Sequence, residues 1–270
     1  MKNVIITQLK DQSDRIKDWI LYHHEQGFDT FIMYDDSSED DTVEKMKSIR
    51  DSYNINIIIN KSDGFGNVYS FENCKNSESY HGDVTLSDRI RRSFTSGNNI
   101  VKSINPDAIS VFVDVDEFLV SNLDEKISTT IENELKNRNI DQLVINSFDV
   151  LDDGYELGDW YTTNKRTSKR WDSLKFKEYG LNRYKSLVIS AKMDEAVHVH
   201  YLRLIEGRTE ATLQELIDSK YRIDDYKLRI HHFRKPNLQF NIEYTDDFTL
   251  INKMNEIKDK YKTYHSETKK

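Results

Sequence analysis

Residues 111–118, Val-Phe-Val-Asp-Val-Asp-Glu-Phe, place two carboxylates one residue apart at the end of an apolar run, Ile109 to Val113. A buried strand that delivers two acids to its carboxyl end is a place to hold a divalent cation. Hard cations such as Mg²⁺ take oxygen ligands and share them with substrate phosphates. Strand alternation would put Asp114 and Asp116 on one side of the extended chain and Val115 on the other. Phe118 and Leu119 resume the apolar character. Charges between apolar runs are costly unless paired or metal-bound. The competing interpretation is plain: Asp-x-Asp is short, and at a strand end it also caps helices or stays solvated.

Other residues could join that chemistry. His198, His200, His231 and His232 are four of the eight histidines, gathered in two short clusters, and one of them could complete a metal shell. Arg91, Arg92, Lys185 and Arg234 could offset phosphate charge. Asp149, Asp152 and Asp153 supply carboxylates for acid–base work, and Trp160, Tyr161 and Trp171 supply aromatic faces. His23 is different, because it falls on the apolar face of a helix and reads as structural.

These residues need a scaffold. The 270 residues, 37% hydrophobic and 32% charged, suit one large domain with a single core. A net charge of −8 argues against a general nucleic-acid binder, and means that a diphosphate would need a cation to approach. The lone Cys74 excludes an intramolecular disulfide and fits a reducing compartment. The first nine residues lack the pattern of a signal peptide, and no apolar run is long enough to span a membrane, so a cytoplasmic protein is expected.

The first half alternates strand and helix. Strands are expected over 4–9, 30–34 and 56–60, with helices over 13–26, from 38 or 40 to 50, and over 86–102. Gly27 ends the first helix. The polar stretch 61–82 reads as a long loop. Later elements are a helix over 124–139, strands over 143–148, 187–190, 197–201 and 229–233, and helices over 209–219 and 246–261. The β-α-β-α order implies a mostly parallel sheet, and in such sheets ligands bind outside the carboxyl ends of the strands. Asp35-Asp36 and Asp114-x-Asp116 both sit at such ends.

Several motifs fall into one order. Residues 17–42, which include Asp18-Trp19-Ile20-Leu21-Tyr22-His23, Gly27-Phe28-Asp29 and Tyr34-Asp35-Asp36-Ser37-Ser38, resemble the opening of glycosyltransferases of the family-2-like and family-92 type. Val113 to Leu119 resembles their D-x-D-E-F-L element. Asp152-Asp153-Gly154, Arg183 to Ser186, Ala196-Val197-His198 and His231 to Lys235 resemble later segments. The resemblance implies a GT-A fold: an α/β protein with a Rossmann-like nucleotide-binding half, a mostly parallel central sheet and an acceptor-binding half. One such domain would cover 1–245, with a C-terminal helix and tail over 246–270.

The resemblance also implies transfer of a sugar from a nucleotide-sugar donor, UDP- or GDP-linked, to a glycan acceptor, with Mn²⁺ or Mg²⁺. Asp116 would bind the cation directly, and Asp114 would bind through water or contact the donor ribose. His232, with His198 as second choice, would complete the metal shell. Asp35, and less so Asp36, would contact the nucleotide, with Thr7 or Gln8 near the base edge. Arg92 and Lys185 would offset diphosphate charge. Asp152, or Asp149 beside it, would be the general base of an inverting reaction. Two rivals remain: a non-catalytic nucleotide-sugar or glycan binder, and a phosphohydrolase with Asp114 as nucleophile. Phe118 stands where that second class carries a small hydroxyl residue.

Overall fold

The computed structural model describes residues 1–62, 86–151, 165–167, 184–196, 202–204, 221–234 and 244–267. Strands β1 (Asn3–Leu9), β2 (Thr30–Asp35) and β3 (Asn56–Lys61) alternate with helices α1 (Ile16–Glu25) and α2 (Thr42–Tyr53). Then come α3 (Leu86–Ile104), β4 (Ile109–Phe112), β5 (Glu117–Val120) and α4 (Ile127–Arg138). The rest comprises β6 (Gln142–Leu151), β7 (Lys165–Thr167), β8 (Tyr184–Ile189), β9 (Met193–Ala196), β10 (Leu202–Leu204), β11 (Arg229–Arg234), β12 (Tyr244–Asp246) and the C-terminal helix α5 (Thr249–Glu267).

The main sheet runs β12-β7-β6-β8-β4-β1-β2-β3. Its β3-β2-β1-β4 part is parallel, and β8 lies antiparallel between β4 and β6. This is the expected α/β class, with a Rossmann-like parallel half. Val4, Ile5 and Ile6 show why, since an uninterrupted apolar run suits a strand covered on both faces. Val4 and Ile6 pack with Phe94 and Val101 of α3, whereas Ile5 packs with Trp19, Ile20 and Met33. Helices therefore cover both faces, and loops at the strand ends are left to carry function.

The acidic motif departs from expectation. β4 ends at Phe112, so Asp114 and Asp116 lie on a turn rather than on a strand. The Glu117 N–H donates to the Asp114 carbonyl at 3.0 Å and closes that turn. The chain then forms β5, a strand that the sequence reading did not separate from the motif. The expected elements over 197–201 and 209–219, and the loop beyond residue 62, lie outside the described residues.

Among the described residues β5 has one sheet neighbour, β11, which pairs with it antiparallel. Its other edge faces α1, and buried backbone groups there must still find partners. Three α1 side chains supply them. Trp19 Nε1 donates to the Glu117 carbonyl at 2.8 Å, and the Tyr22 hydroxyl donates to the Leu119 carbonyl at 2.7 Å. His23 Nε2 accepts from the Leu119 N–H at 3.3 Å, while its Nδ1 lies 2.9 Å from the Trp19 carbonyl. The i, i+3, i+4 spacing of these aromatics matches residues 117 and 119 on one edge of the strand. Gly27 ends α1 as expected: its φ is +95°, and a β-carbon there would collide with Ser128.

β11 also pairs in parallel with β6, so it bridges β5 to the main sheet. Arg229 at its start is buried and donates to Asp247 at 2.6 Å. Asp247 also accepts from the Thr249 N–H at 3.1 Å, at the start of α5. Leu250, Met254 and Ile257 of α5 enter the core. Among the described residues no helix is long and apolar enough to cross a membrane.

Two predictions follow from this packing. A β-carbon at Gly97 of α3 would meet Ile6 Cγ2 at 2.5 Å. Gly97→Ala gains about 1 kcal/mol of helix propensity and loses about 1–3 kcal/mol to overpacking. Urea denaturation should therefore show a less stable variant. His23 is fully buried, and burial lowers its pKa from 6.5 to about 3. The folded state thus refuses a proton that the unfolded chain accepts below pH 6.5. Stability should fall by up to about 1.4 kcal/mol per pH unit from this residue as pH drops from 6.5 toward 3. His23→Gln should show a shallower fall in unfolding free energy between pH 6.5 and 5; equal slopes would refute the assignment.

Candidate functional site

The carboxyl ends of β1 and β2 and the turn after β4 surround a cavity of about 280 Å³. Gln8, Lys10, Gln12, Asp36, Asp114 and Asp116 contribute polar groups, and Leu9, Leu86, Ile90 and Val115 the apolar wall. The two acidic segments singled out in the sequence, far apart along the chain, meet at this one cavity because β1 lies between β2 and β4.

Asp36 follows β2 and lines the cavity. Arg89 of α3 grips it with two N–H groups, at 2.9 and 3.0 Å, and Ser62 donates a third hydrogen bond. Burial pushes its carboxyl up, but Arg89 and Ser62 more than reverse this, so its pKa lies below the usual carboxylate value. Asp35 serves the turn itself, its Oδ1 accepting from the Ser38 N–H at 3.2 Å, and it does not line the cavity. Thr7 is fully buried, with its hydroxyl 3.4 Å from the Gln8 carbonyl. Gln8 reaches the cavity instead, its Oε1 accepting from Ser93 at 2.7 Å.

Asp114, Asp116 and Glu117 crowd one turn. Glu117 is buried, and its Oε2 accepts from the Asp114 N–H at 2.9 Å. Lys185, on the interior strand β8 and 1% exposed, places Nζ 2.6 Å from Asp114 Oδ2 and 3.2 Å from Glu117 Oε2. Burial disfavours the lysine charge, yet Asp114 and Glu117 outweigh it and raise the pKa. Burial likewise pushes the Glu117 carboxyl up, against the pull of Lys185.

Asp116 turns to the other partner. Its Oδ2 lies 3.3 Å from His232 Nε2. Burial raises its pKa, and His232, Arg15 and Lys185 together bring it below the usual value. β-strand alternation separates the two neighbouring histidines of β11. His232 meets the acidic turn, whereas His231 is buried 3.3 Å from Asp247 beside Arg229.

This pair fits a divalent cation. Two ligands about 2.1 Å from one ion at right angles lie about 3 Å apart, close to the 3.3 Å found. Both side chains are partly exposed, at 34% for Asp116 and 17% for His232. Among the described residues no group of three or more His, Cys, Asp or Glu side chains is arranged to hold a metal alone. A cation held by such a pair would have to take its remaining ligands from elsewhere, as Mg²⁺ does from water and phosphate.

The remaining candidates are placed as follows. Arg92 is buried on α3 and does not line the cavity. The Asp149 backbone pairs with His232 across β6 and β11. His198, Asp152, Asp153, Trp160, Tyr161 and Trp171 lie outside the described residues, as do the side chains of Asp149 and Arg234. Sequence reasoning passed over Arg89, the partner of Asp36. The only signal for it was the Arg89, Arg91, Arg92 cluster at the start of α3, which does not say which arginine turns inward.

No family model and no curated protein sequence matches the chain. Among solved structures, the chain is similar to S. aureus TarS 1–349 in complex with UDP, at 16% identity and a TM-score of 0.37, over 56% of this chain and 36% of that one. It is also similar to HddC from Yersinia pseudotuberculosis, at 11% identity and a TM-score of 0.32, over 57% of this chain and 61% of that one. A UDP-glucose pyrophosphorylase complexed with UDP-glucose aligns over 97% of this chain and 99% of its own, at 6% identity and a TM-score of 0.33. The chain thus spans little more than a third of the TarS structure, and all three likenesses are weak in identity and in superposition.

Proposed function

We propose that the chain is a divalent-metal-dependent glycosyltransferase that moves a sugar from a UDP- or GDP-linked donor to a glycan acceptor, with inversion at the anomeric carbon. The observation that carries this reading is the Asp116–His232 pair, 3.3 Å apart, whose aspartate lines a cavity at the carboxyl ends of parallel strands. The order of motifs from residue 17 to 235 supports it.

In this reading Asp116 and His232 hold Mn²⁺ or Mg²⁺, which neutralises charge on the departing nucleoside diphosphate. Gln8 and Asp36 offer an amide and a carboxylate to the donor nucleoside. Asp36 arrives oriented, because Arg89 and Ser62 hold it before any ligand binds. A carboxylate takes the proton of the acceptor hydroxyl as its oxygen attacks the anomeric carbon and the bond to the diphosphate breaks. Asp152 is the base assigned from sequence, and Asp149 is the alternative whose backbone neighbours His232.

Calorimetric titration with UDP and GDP, each in Mn²⁺ and in EDTA, tests the reading. One nucleotide should bind, and only with metal. Asp116→Asn should weaken that binding by about 100-fold or more, and His232→Ala by at least about tenfold. Unchanged affinity of Asp116→Asn in Mn²⁺, or equal affinity in EDTA, would remove the metal assignment. Phosphate release from a phosphomonoester would favour the hydrolase, and metal-dependent binding of intact donor without slow hydrolysis would favour the non-catalytic binder.

A further inference from the structure

Three acids share one short turn, yet they do not face a cation equally. Asp114 Oδ2 lies 2.6 Å from the ammonium of Lys185, the distance of a strong charge-assisted hydrogen bond. Glu117 completes a closed unit. It binds the same ammonium at 3.2 Å and accepts the backbone N–H of Asp114 at 2.9 Å. Lys185 is 1% exposed on β8, so its charge is held away from bulk water and depends on these acids. Breaking the pair would strand a buried ammonium, which is far costlier than keeping it. Lys185 does not line the cavity, so its charge is spent on the acids and not on an incoming diphosphate.

We infer that Lys185 is a positioning residue that withholds Asp114 from the metal, leaving the cation, among the described residues, one carboxylate, Asp116, and one imidazole, His232. This rests on the reading of the turn as a divalent-cation site. The consequence is a division of labour inside the Asp-x-Asp motif. The two carboxylates are about equally exposed, at 36% and 34%, and differ in partner: Asp114 is tied back by an internal ammonium, whereas Asp116 faces the imidazole of His232. With one carboxylate and one ring as its ligands among the described residues, a cation would bind weakly by itself. It binds tightly once a diphosphate adds its oxygens, so metal and donor should load together.

The test is Mn²⁺ binding without nucleotide, read by the electron paramagnetic resonance of free Mn²⁺. Removing the ammonium frees a second carboxylate and deletes a neighbouring positive charge. Lys185→Met should therefore bind Mn²⁺ about tenfold tighter or more than the native chain. Lys185→Met leaves Glu117 buried, so the double variant Lys185→Met/Glu117→Gln, which removes both charges together, covers the case in which the single variant does not fold. Adding Asp114→Asn to either variant should abolish the gain. Circular dichroism and thermal melting establish which variants are folded.

A folded Lys185 variant that binds Mn²⁺ no more tightly overturns the inference, while metal-dependent nucleotide binding by the native chain leaves the functional reading standing. If the native chain binds no Mn²⁺ even with nucleotide, but the Lys185 variants do, Lys185 does tie back Asp114, and the native Asp116–His232 cation site falls together with metal dependence. If none of them binds Mn²⁺, both fall.

Discussion

The free edge of β5 is the constraint on which the site depends. This four-residue strand, with a sheet neighbour on one side only among the described residues, has N–H and C=O groups to satisfy in a dry interior, where each one left unpaired costs about 1–3 kcal/mol. Trp19, Tyr22 and His23 take up that duty from α1. In doing so they fix the strand that begins at Glu117, and with it the turn carrying Asp114 and Asp116. The aromatic spacing of the first helix is therefore a structural requirement of an acidic turn nearly a hundred residues later.

Electrostatics then sorts the acids. Four carboxylates, Asp36, Asp114, Asp116 and Glu117, gather near the strand ends, and none is left without a counterpart. Arg89 holds Asp36, Lys185 holds Asp114 and Glu117, and His232 meets Asp116. Only the last partner is an imidazole, and the proposed cation would be shared there. The same low-dielectric surroundings that make these pairs strong would make any one of them costly to break.

β11 links the site to the rest of the molecule. Through one face it delivers His232 to Asp116, and through the other it sends His231 and Arg229 to Asp247 at the head of α5. The backbone of Phe233 donates to the Asp116 carbonyl at 2.8 Å, so strand and turn are tied by main chain as well as side chain. The C-terminal helix is thus part of the frame that places the histidine, with Leu250, Met254 and Ile257 in the common core.

Much of the parallel half was legible in the chain itself. The apolar runs of β1 and β2, the i, i+3, i+4 aromatics of α1, the terminating Gly27 and the acids at strand ends are local patterns, and local patterns dictate local structure. His23 as a buried, structural residue followed from its helical face, and the Asp-x-Asp motif falls on the wall of the cavity. What the sequence could not state was partnership. That Asp36 rather than Asp35 lines the cavity, that Arg89 holds it, that Lys185 is spent on Asp114, and that His232 rather than His231 meets Asp116 are choices made between residues far apart in the chain. Charge and residue type are properties of one position, whereas pairing, burial and strand register exist only once the sheet has brought β2, β4, β8 and β11 together.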